Sequence, residues 1–190
     1  MKRRQFAGSI GASTLLGAFG TLGLVSGCAS SATVKGPKVV VVGGGFGGAT
    51  AAKYVRMWSD YGVQVSLVEP NAVFVSCPIS NLVIGGVKTM ADITSPYDGL
   101  VKQHGVNVVR DIVMAIDSDK RVVKLAGGTE LPYDRLILSP GVDFMWDTLP
   151  GMGAAQAKDQ VLHAWKAGAQ TVALRKRIEA MPDGGVFAIS

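Results

Sequence analysis

The chain has 190 residues and a formal net charge of +5. Lys2, Arg3 and Arg4 supply three of those charges and leave +2 for everything that follows; no basic stripe with interleaved aromatics occurs, which argues against nucleic acid as a partner. With 48% hydrophobic residues, the length suffices for one core of ordinary size, but it is short for a dinucleotide domain together with a substrate domain.

The N-terminus reads as an export signal over residues 1–32. Lys2-Arg3-Arg4-Gln5-Phe6 precedes an uncharged stretch from Ala7 to Val34 that is rich in Gly, Ala, Ser and Thr, more mildly apolar than a membrane-spanning helix normally is; an uncleaved N-terminal anchor is the alternative to a signal. The Arg3-Arg4-x-Phe6 grouping is of the twin-arginine type, with Lys2 and Ala7-Gly8 departing from the usual residues. Such a signal exports folded proteins and implies a periplasmic location. Val25-Ser26-Gly27-Cys28 has the form of a lipobox, in which Cys28 is lipidated and gives the only membrane attachment expected; the alternative is ordinary cleavage after Ala32. On either reading Cys28 does not pair with Cys77, which is left as a lone thiol in an oxidising compartment.

After a polar linker, Val39–Val42 reads as a buried parallel strand. Gly43-Gly44-Gly45-Phe46-Gly47-Gly48 follows without a gap, and a helix is expected from about Gly45 to Trp58, with Ala51, Val55 and Trp58 facing the sheet. Strand, glycine loop and helix in that order form the dinucleotide fingerprint. Gly43 permits the tight turn, Gly45 lets a backbone approach a pyrophosphate, and Gly48 lets the helix pack near the strand. Phe46 and Gly47 lie in the same loop, where free N–H groups of a helix start hold phosphates. Residues 63–68 read as the second strand, completing a βαβ unit of about 30 residues. Glu69 then stands where a carboxylate accepts from ribose hydroxyls and repels a 2′-phosphate, which favours FAD or NAD over NADP.

Phe74 to Gly86 reads as a loop and Met90 to His104 as helical with a break near Pro96. From Gly105 the pattern changes to short strands at 106–109, 112–116, 121–125 and 131–133, a β-meander. Tyr133-Asp134-Arg135-Leu136-Ile137-Leu138-Ser139-Pro140-Gly141 reads as another buried strand ending in a tight loop. Val161 to Met181 is expected to be helical, and a strand is expected to begin at Val186. A strand starting at the last residues is the pattern of a truncated reading frame. The fold class is therefore α/β: a Rossmann-like dinucleotide domain with a β-meander over residues 37–150, then a connecting helix and the first strand of an incomplete second dinucleotide-type domain over 151–190.

Four segments carry a family likeness: the glycine loop with Glu69; the Tyr133–Gly141 segment; Phe74-Val75-Ser76-Cys77-Pro78-Ile79-Ser80-Asn81 with Gly85-Gly86; and His163-Ala164-Trp165-Lys166-Ala167-Gly168 with Asp183-Gly184-Gly185. From about Lys38 to Ile189 the chain resembles the flavoprotein subunit of flavocytochrome c sulfide dehydrogenase. The resemblance implies FAD as cofactor, sulfide as substrate and a c-type cytochrome subunit as partner. It implies that Cys77 is bonded through sulfur to the 8α-methyl carbon of the flavin; from spacing alone, Cys77 reads rather as a small buried apolar residue. It also places Val113 beside the adenine, and Ser139 and Gly141 near the adenosine-diphosphate portion.

The family's redox-active cysteine pair lies beyond these residues, so no catalytic residue is assigned. No C-x-x-C-H motif occurs, so haem would belong to a partner. His104 and His163 form no metal site, Ser139 has no evident base, and Asp117 and Asp119 read as solvated turn residues. Sulfide:quinone oxidoreductases and type II NADH dehydrogenases are the rival enzyme classes, and an inactive FAD-binding fragment is the non-enzyme alternative.

Overall fold

The computed structural model describes residues 36–153 and 160–188, so the export signal and Cys28 lie outside the described residues. Strand β1 (Lys38–Val42) sits inside a four-stranded parallel sheet of order β5-β2-β1-β9. β2 is Gln64–Val68, β5 is Asn107–Val109 and β9 is Arg135–Leu138. The register pairs Val42 with Val68 on one side and with Leu138 on the other. The chain thus leaves β1 toward β2 and returns on its opposite flank at β9. This is a topological switch point, and it falls at the carboxyl end of β1, where Gly43 begins the glycine loop.

The unbroken valine run of β1 is explained by what covers each face. Alternate side chains point to opposite sides of a strand. Val39 and Val41 pack with Ala52, Leu67, Tyr97 and Val106, whereas Val40 and Val42 pack with Val68, Val123, Leu125 and Val113. Helix α1 (Phe46–Trp58) lies on the first side. The antiparallel meander of β6 (Val113–Asp117), β7 (Val122–Leu125) and β8 (Glu130–Pro132) lies on the second. A strand covered on both faces needs apolar residues at every position.

Several expected elements are corrected. The core-facing residues of α1 are the buried Gly48 and Ala52 with the half-buried Val55; Val55 lies where expected, whereas Ala52 takes the place expected of Ala51, and Trp58 is 80% exposed against Tyr54. Gly48 has to sit on the strand, so the face follows from it at i+4 and i+7. Residues 106–109 belong to the parallel sheet through β5 rather than to the meander. The segment expected as a loop from Phe74 contains β3 (Val73–Val75) and the short helix α2 (Asn81–Ile84). Met90 to His104 is a 3-10 turn (Ala91–Ile93), then β4 (Thr94–Pro96) paired antiparallel with β3, and only then helix α3 (Asp98–His104). β9 is half-buried rather than buried, because it edges the sheet. Helix α4 spans Ala169–Glu179 only; Thr171, fully buried, accepts from the Gly168 N–H at 3.1 Å and fixes its start. Val186 to Ala188 form no strand, pair with none of the strands among the described residues, and Val186 is exposed.

Arg56 ties α1 to the elements beside it. Its Nε donates to the His104 carbonyl at 2.8 Å and its guanidinium donates to Tyr61 O at 2.8 Å and Val63 O at 2.5 Å. Those acceptors end α3 and line the turn into β2, where Asp60 and Tyr61 hold positive φ. Arg56→Ala is expected to cost about 2–3 kcal/mol of stability, since the part-buried carbonyls of His104 and Val63 lose a charged donor. Arg56→Lys should recover little of it, because an ammonium lacks the planar fork. Urea denaturation of the three proteins checks both.

Candidate dinucleotide site

Two of the three motif glycines meet a steric demand of the protein's own, and the third faces open space. Gly43 has φ +95°, and a Cβ there would lie 2.0 Å from the Ser139 carbonyl oxygen. A Cβ on Gly48 would lie 1.8 Å from the Gly43 carbonyl oxygen. At Gly45, by contrast, a Cβ meets no atom within 4 Å, so the loop is open at the position where a ligand backbone would approach. Gly45 is also the N-cap of α1, and the N–H groups of a helix's first turn have no acceptor within the helix. Gly47 lies against Ser139, whose Oγ would be 2.6 Å from an added Cβ. Ser139 also donates its N–H to Val42 O at 2.8 Å, so the loop after β9 and the glycine loop brace each other. Gly141 follows with φ +76° and open space around it.

Glu69 is buried at the end of β2. Its Oε2 accepts from Gly44 N–H at 2.7 Å, and its Oε1 accepts from Asn71 N–H at 2.8 Å and Asn71 Nδ2 at 2.7 Å. The carboxylate is thereby fixed in orientation; Oε1 has both lone-pair sites taken by Asn71, and Oε2 keeps one for a further donor. It lines a cavity of about 470 Å³ with Gly43, Asn71, Asp111, Val113, Leu138 and Pro140. Asp111 is occupied at its own turn, accepting from Ile112 N–H at 2.7 Å and from Gly127 N–H at 3.1 Å. Two carboxylates and apolar walls suit a neutral, hydroxyl-bearing adenosine and disfavour a 2′-phosphate. The residues therefore fit an adenine dinucleotide: an open glycine at a helix start beside a cavity with a fixed acceptor for a diol. Of the sequence-predicted set, Gly43, Glu69 and Val113 line this cavity, Gly43 and Gly47 both lie against Ser139, Gly48 lies against Gly43, and Gly45 and Gly141 face open space.

Phe46 and Cys77 stand to one side of that cavity. Phe46 is largely exposed and stacks edge-to-face on Phe74 with ring centroids 4.8 Å apart. Cys77 is exposed, which removes the reading of it as a small buried apolar residue. Its thiol donates to the Trp165 carbonyl. The two segments that carried the specific likeness thus meet in space, 88 residues apart in sequence. Around Trp165 lies an aromatic cluster in which the Phe144 ring is 4.5 Å from Trp146, 4.4 Å from His163 and 5.0 Å from Trp165, centroid to centroid. Burial, with the nearby Lys166 cation, lowers the His163 pKa and favours the neutral imidazole. Lys166 bonds Asp143 at 2.7 Å and holds its carboxyl below the usual range, although both groups are exposed.

Sequence reasoning missed Asn71, Tyr97, Asp111 and Phe144. Asn two residues after a strand-end Glu is a turn signal that would have flagged Asn71. Nothing local marks Tyr97, whose role comes from a contact 53 residues away. Among the described residues no group of three or more His, Cys, Asp or Glu could hold a metal, and no helix is long and apolar enough to cross a membrane.

Residues 37–179 match the family model described as pyridine nucleotide-disulphide oxidoreductase. The chain is 61% identical over 46 residues, 24% of its own length and 94% of the other, to the sulfide dehydrogenase (flavocytochrome c) flavoprotein chain of Chlorobaculum thiosulfatiphilum. It is 28% identical over 124 residues, 65% of this chain and 27% of the other, to the mitochondrial sulfide:quinone oxidoreductase of Dictyostelium discoideum. The solved sulfide:quinone oxidoreductase of Aquifex aeolicus superposes with a TM-score of 0.62 at 23% identity, covering 75% of this chain and 32% of that one, a likeness of fold. The chain thus spans about a quarter to a third of these two quinone-linked proteins.

Proposed function

The chain belongs to the pyridine nucleotide-disulphide oxidoreductase family, and from that premise we propose that it is the FAD-holding portion of a sulfide-oxidising flavoprotein whose flavin is joined to Cys77. Membership of the family implies FAD binding. The observation that carries the reading is the cavity at the switch point, lined by Gly43 at the start of the glycine loop and by the fixed Glu69 carboxylate, with Gly45 unobstructed two residues further along that loop. In it Glu69 accepts from the ribose, Val113 lies by the adenine, and Gly45, Phe46, Gly47 and Gly48 present the loop to the pyrophosphate, with Ser139 and Gly141 alongside. FAD, when bound, supplies two-electron acceptance from sulfur and stepwise release to a one-electron carrier. The exposed Cys77 thiol supports a thioether to the flavin, because it is reachable and sits beside an aromatic cluster. The short, high-identity match favours a c-type cytochrome as electron acceptor. The twin-arginine-type signal, Cys28 lipidation and periplasmic location accompany that reading.

A second reading, with quinone as acceptor, has the longer but weaker similarity in its favour. Covalent flavin separates the two. After denaturation of the purified protein, the flavin is expected to stay with the chain, on the peptide containing Cys77, and Cys77→Ser is expected to release all of it while still binding FAD. Complete release of FAD from the unmodified protein would overturn the flavocytochrome reading and favour the quinone one.

A further inference from the structure

Gly44 lies between two buried side chains from distant parts of the chain. Its N–H donates to Glu69 Oε2 at 2.7 Å and its carbonyl accepts from the Tyr97 hydroxyl at 3.0 Å. Tyr97 and Glu69 are each only 8% exposed. A Cβ on Gly44 would lie 2.5 Å from the Tyr97 hydroxyl oxygen and 2.8 Å from Glu69 Cγ, so no other residue fits between them. The two peptide planes flanking Gly44 are thus each held by one side chain. A peptide is planar and trans, and the Gly45 N–H therefore points opposite to the Gly44 carbonyl. Tying that carbonyl to Tyr97 turns the Gly45 N–H away from Tyr97 and fixes the loop just before Gly45, the glycine of the Gly43–Gly48 loop at which a Cβ would meet no atom within 4 Å.

We propose that Tyr97 is a positioning residue for pyrophosphate binding: its hydroxyl, through the Gly44 carbonyl, sets the orientation of the Gly45 amide at the start of α1. The inference rests on the dinucleotide reading of the site. Tyr97 comes from the turn between β4 and α3, so the β3–β4 pair acts as the bracket that carries its ring to the loop. Burial and the neighbouring Glu69 carboxylate push the phenol up to about 12, so the hydroxyl remains a donor throughout the physiological range. Phosphate contacts made by preset amides depend on that presetting, because an amide left free to rotate has to be ordered on binding.

The test uses the full chain in a Cys77→Ser background, where nucleotide binding is reversible, and compares it with the same chain carrying Tyr97→Phe. ADP and adenosine are titrated into both. The proposal expects ADP affinity to fall about tenfold in the Tyr97→Phe protein, the size of effect set by one lost buried hydrogen bond. Adenosine, which has no pyrophosphate, is expected to bind equally to both. Amide hydrogen exchange is expected to quicken at Gly45 to Gly48 and to stay unchanged in β2 and β5. Equal ADP affinity overturns the proposal, and so does a parallel fall for ADP and adenosine, the mark of a merely structural tyrosine. If the parent binds neither ligand, the dinucleotide reading itself fails and takes this inference with it.

Discussion

Gly45→Ala is expected to abolish useful FAD binding in a protein that folds normally, whereas Gly48→Ala is expected to damage the fold itself. The two positions are three residues apart in one loop, and the same methyl group does opposite things at them. At Gly45 the methyl enters space that no protein atom occupies within 4 Å, and the backbone there has φ −70°, ordinary for alanine. The cost to stability is the N-cap preference alone, below about 1 kcal/mol. The methyl does stand where the pyrophosphate must approach, so FAD affinity is expected to fall about a hundredfold, about 2.7 kcal/mol. At Gly48 the methyl meets the Gly43 carbonyl oxygen at 1.8 Å and Val41 Cγ1 at 3.3 Å. Neither can move without separating α1 from β1, and a cost of about 3 kcal/mol or more follows. Thermal unfolding of flavin-free protein together with FAD titration distinguishes the two variants. Equal destabilisation by both would mean that the loop is closed by packing rather than left open for a ligand.

Glu69→Gln is expected to have the second largest effect, on two quantities at once. Both carboxylate oxygens are acceptors in the folded chain, Oε2 for Gly44 and Oε1 for Asn71. An amide offers one acceptor and one donor group, so one of those N–H groups must face an NH2. A buried unmade hydrogen bond of this kind costs about 1–3 kcal/mol. The ribose acceptor is lost or turned aside as well, and FAD affinity is expected to fall about tenfold or more. Loss of the negative charge should shift preference in a definite direction: relative to ADP, affinity for 2′,5′-ADP should rise. Urea denaturation gives the first quantity and paired nucleotide titrations give the second. An unchanged ratio of the two nucleotides would remove Glu69 from the ribose.

What the sequence disclosed and what it hid divide along physical lines. The β1–α1–β2 unit was legible because its signals are local: a valine run, glycines at fixed offsets and a strand-end acid. The meander was legible in its turns, and β6 to β8 lie within a residue or two of the expected strands. The segment from Met90 to His104 was misread because β4 exists only through pairing with β3, Val75 opposite Thr94 and Val73 opposite Pro96. A three-residue strand has no period of its own to detect. β5 was placed in the meander for a similar reason: its three residues gain their identity from β2, through partners such as Leu67 opposite Val108. Residues 161–168 look helical by composition, yet His163 and Trp165 are drawn into the cluster around Phe144, and the helix begins only after Gly168. The same division applies to the site. Glu69 could be named from its place after β2, whereas Tyr97 acts on Gly44 from a distant segment and had no sequence signature.

In the proposed function the switch-point cavity holds the adenosine diphosphate end of FAD. Calorimetric titration of ADP into flavin-free protein tests this most directly. A single site is predicted, displaced by FAD and lost in Gly45→Ala while the protein stays folded. Absence of ADP binding in the folded parent, or ADP binding that Gly45→Ala leaves untouched, would contradict it.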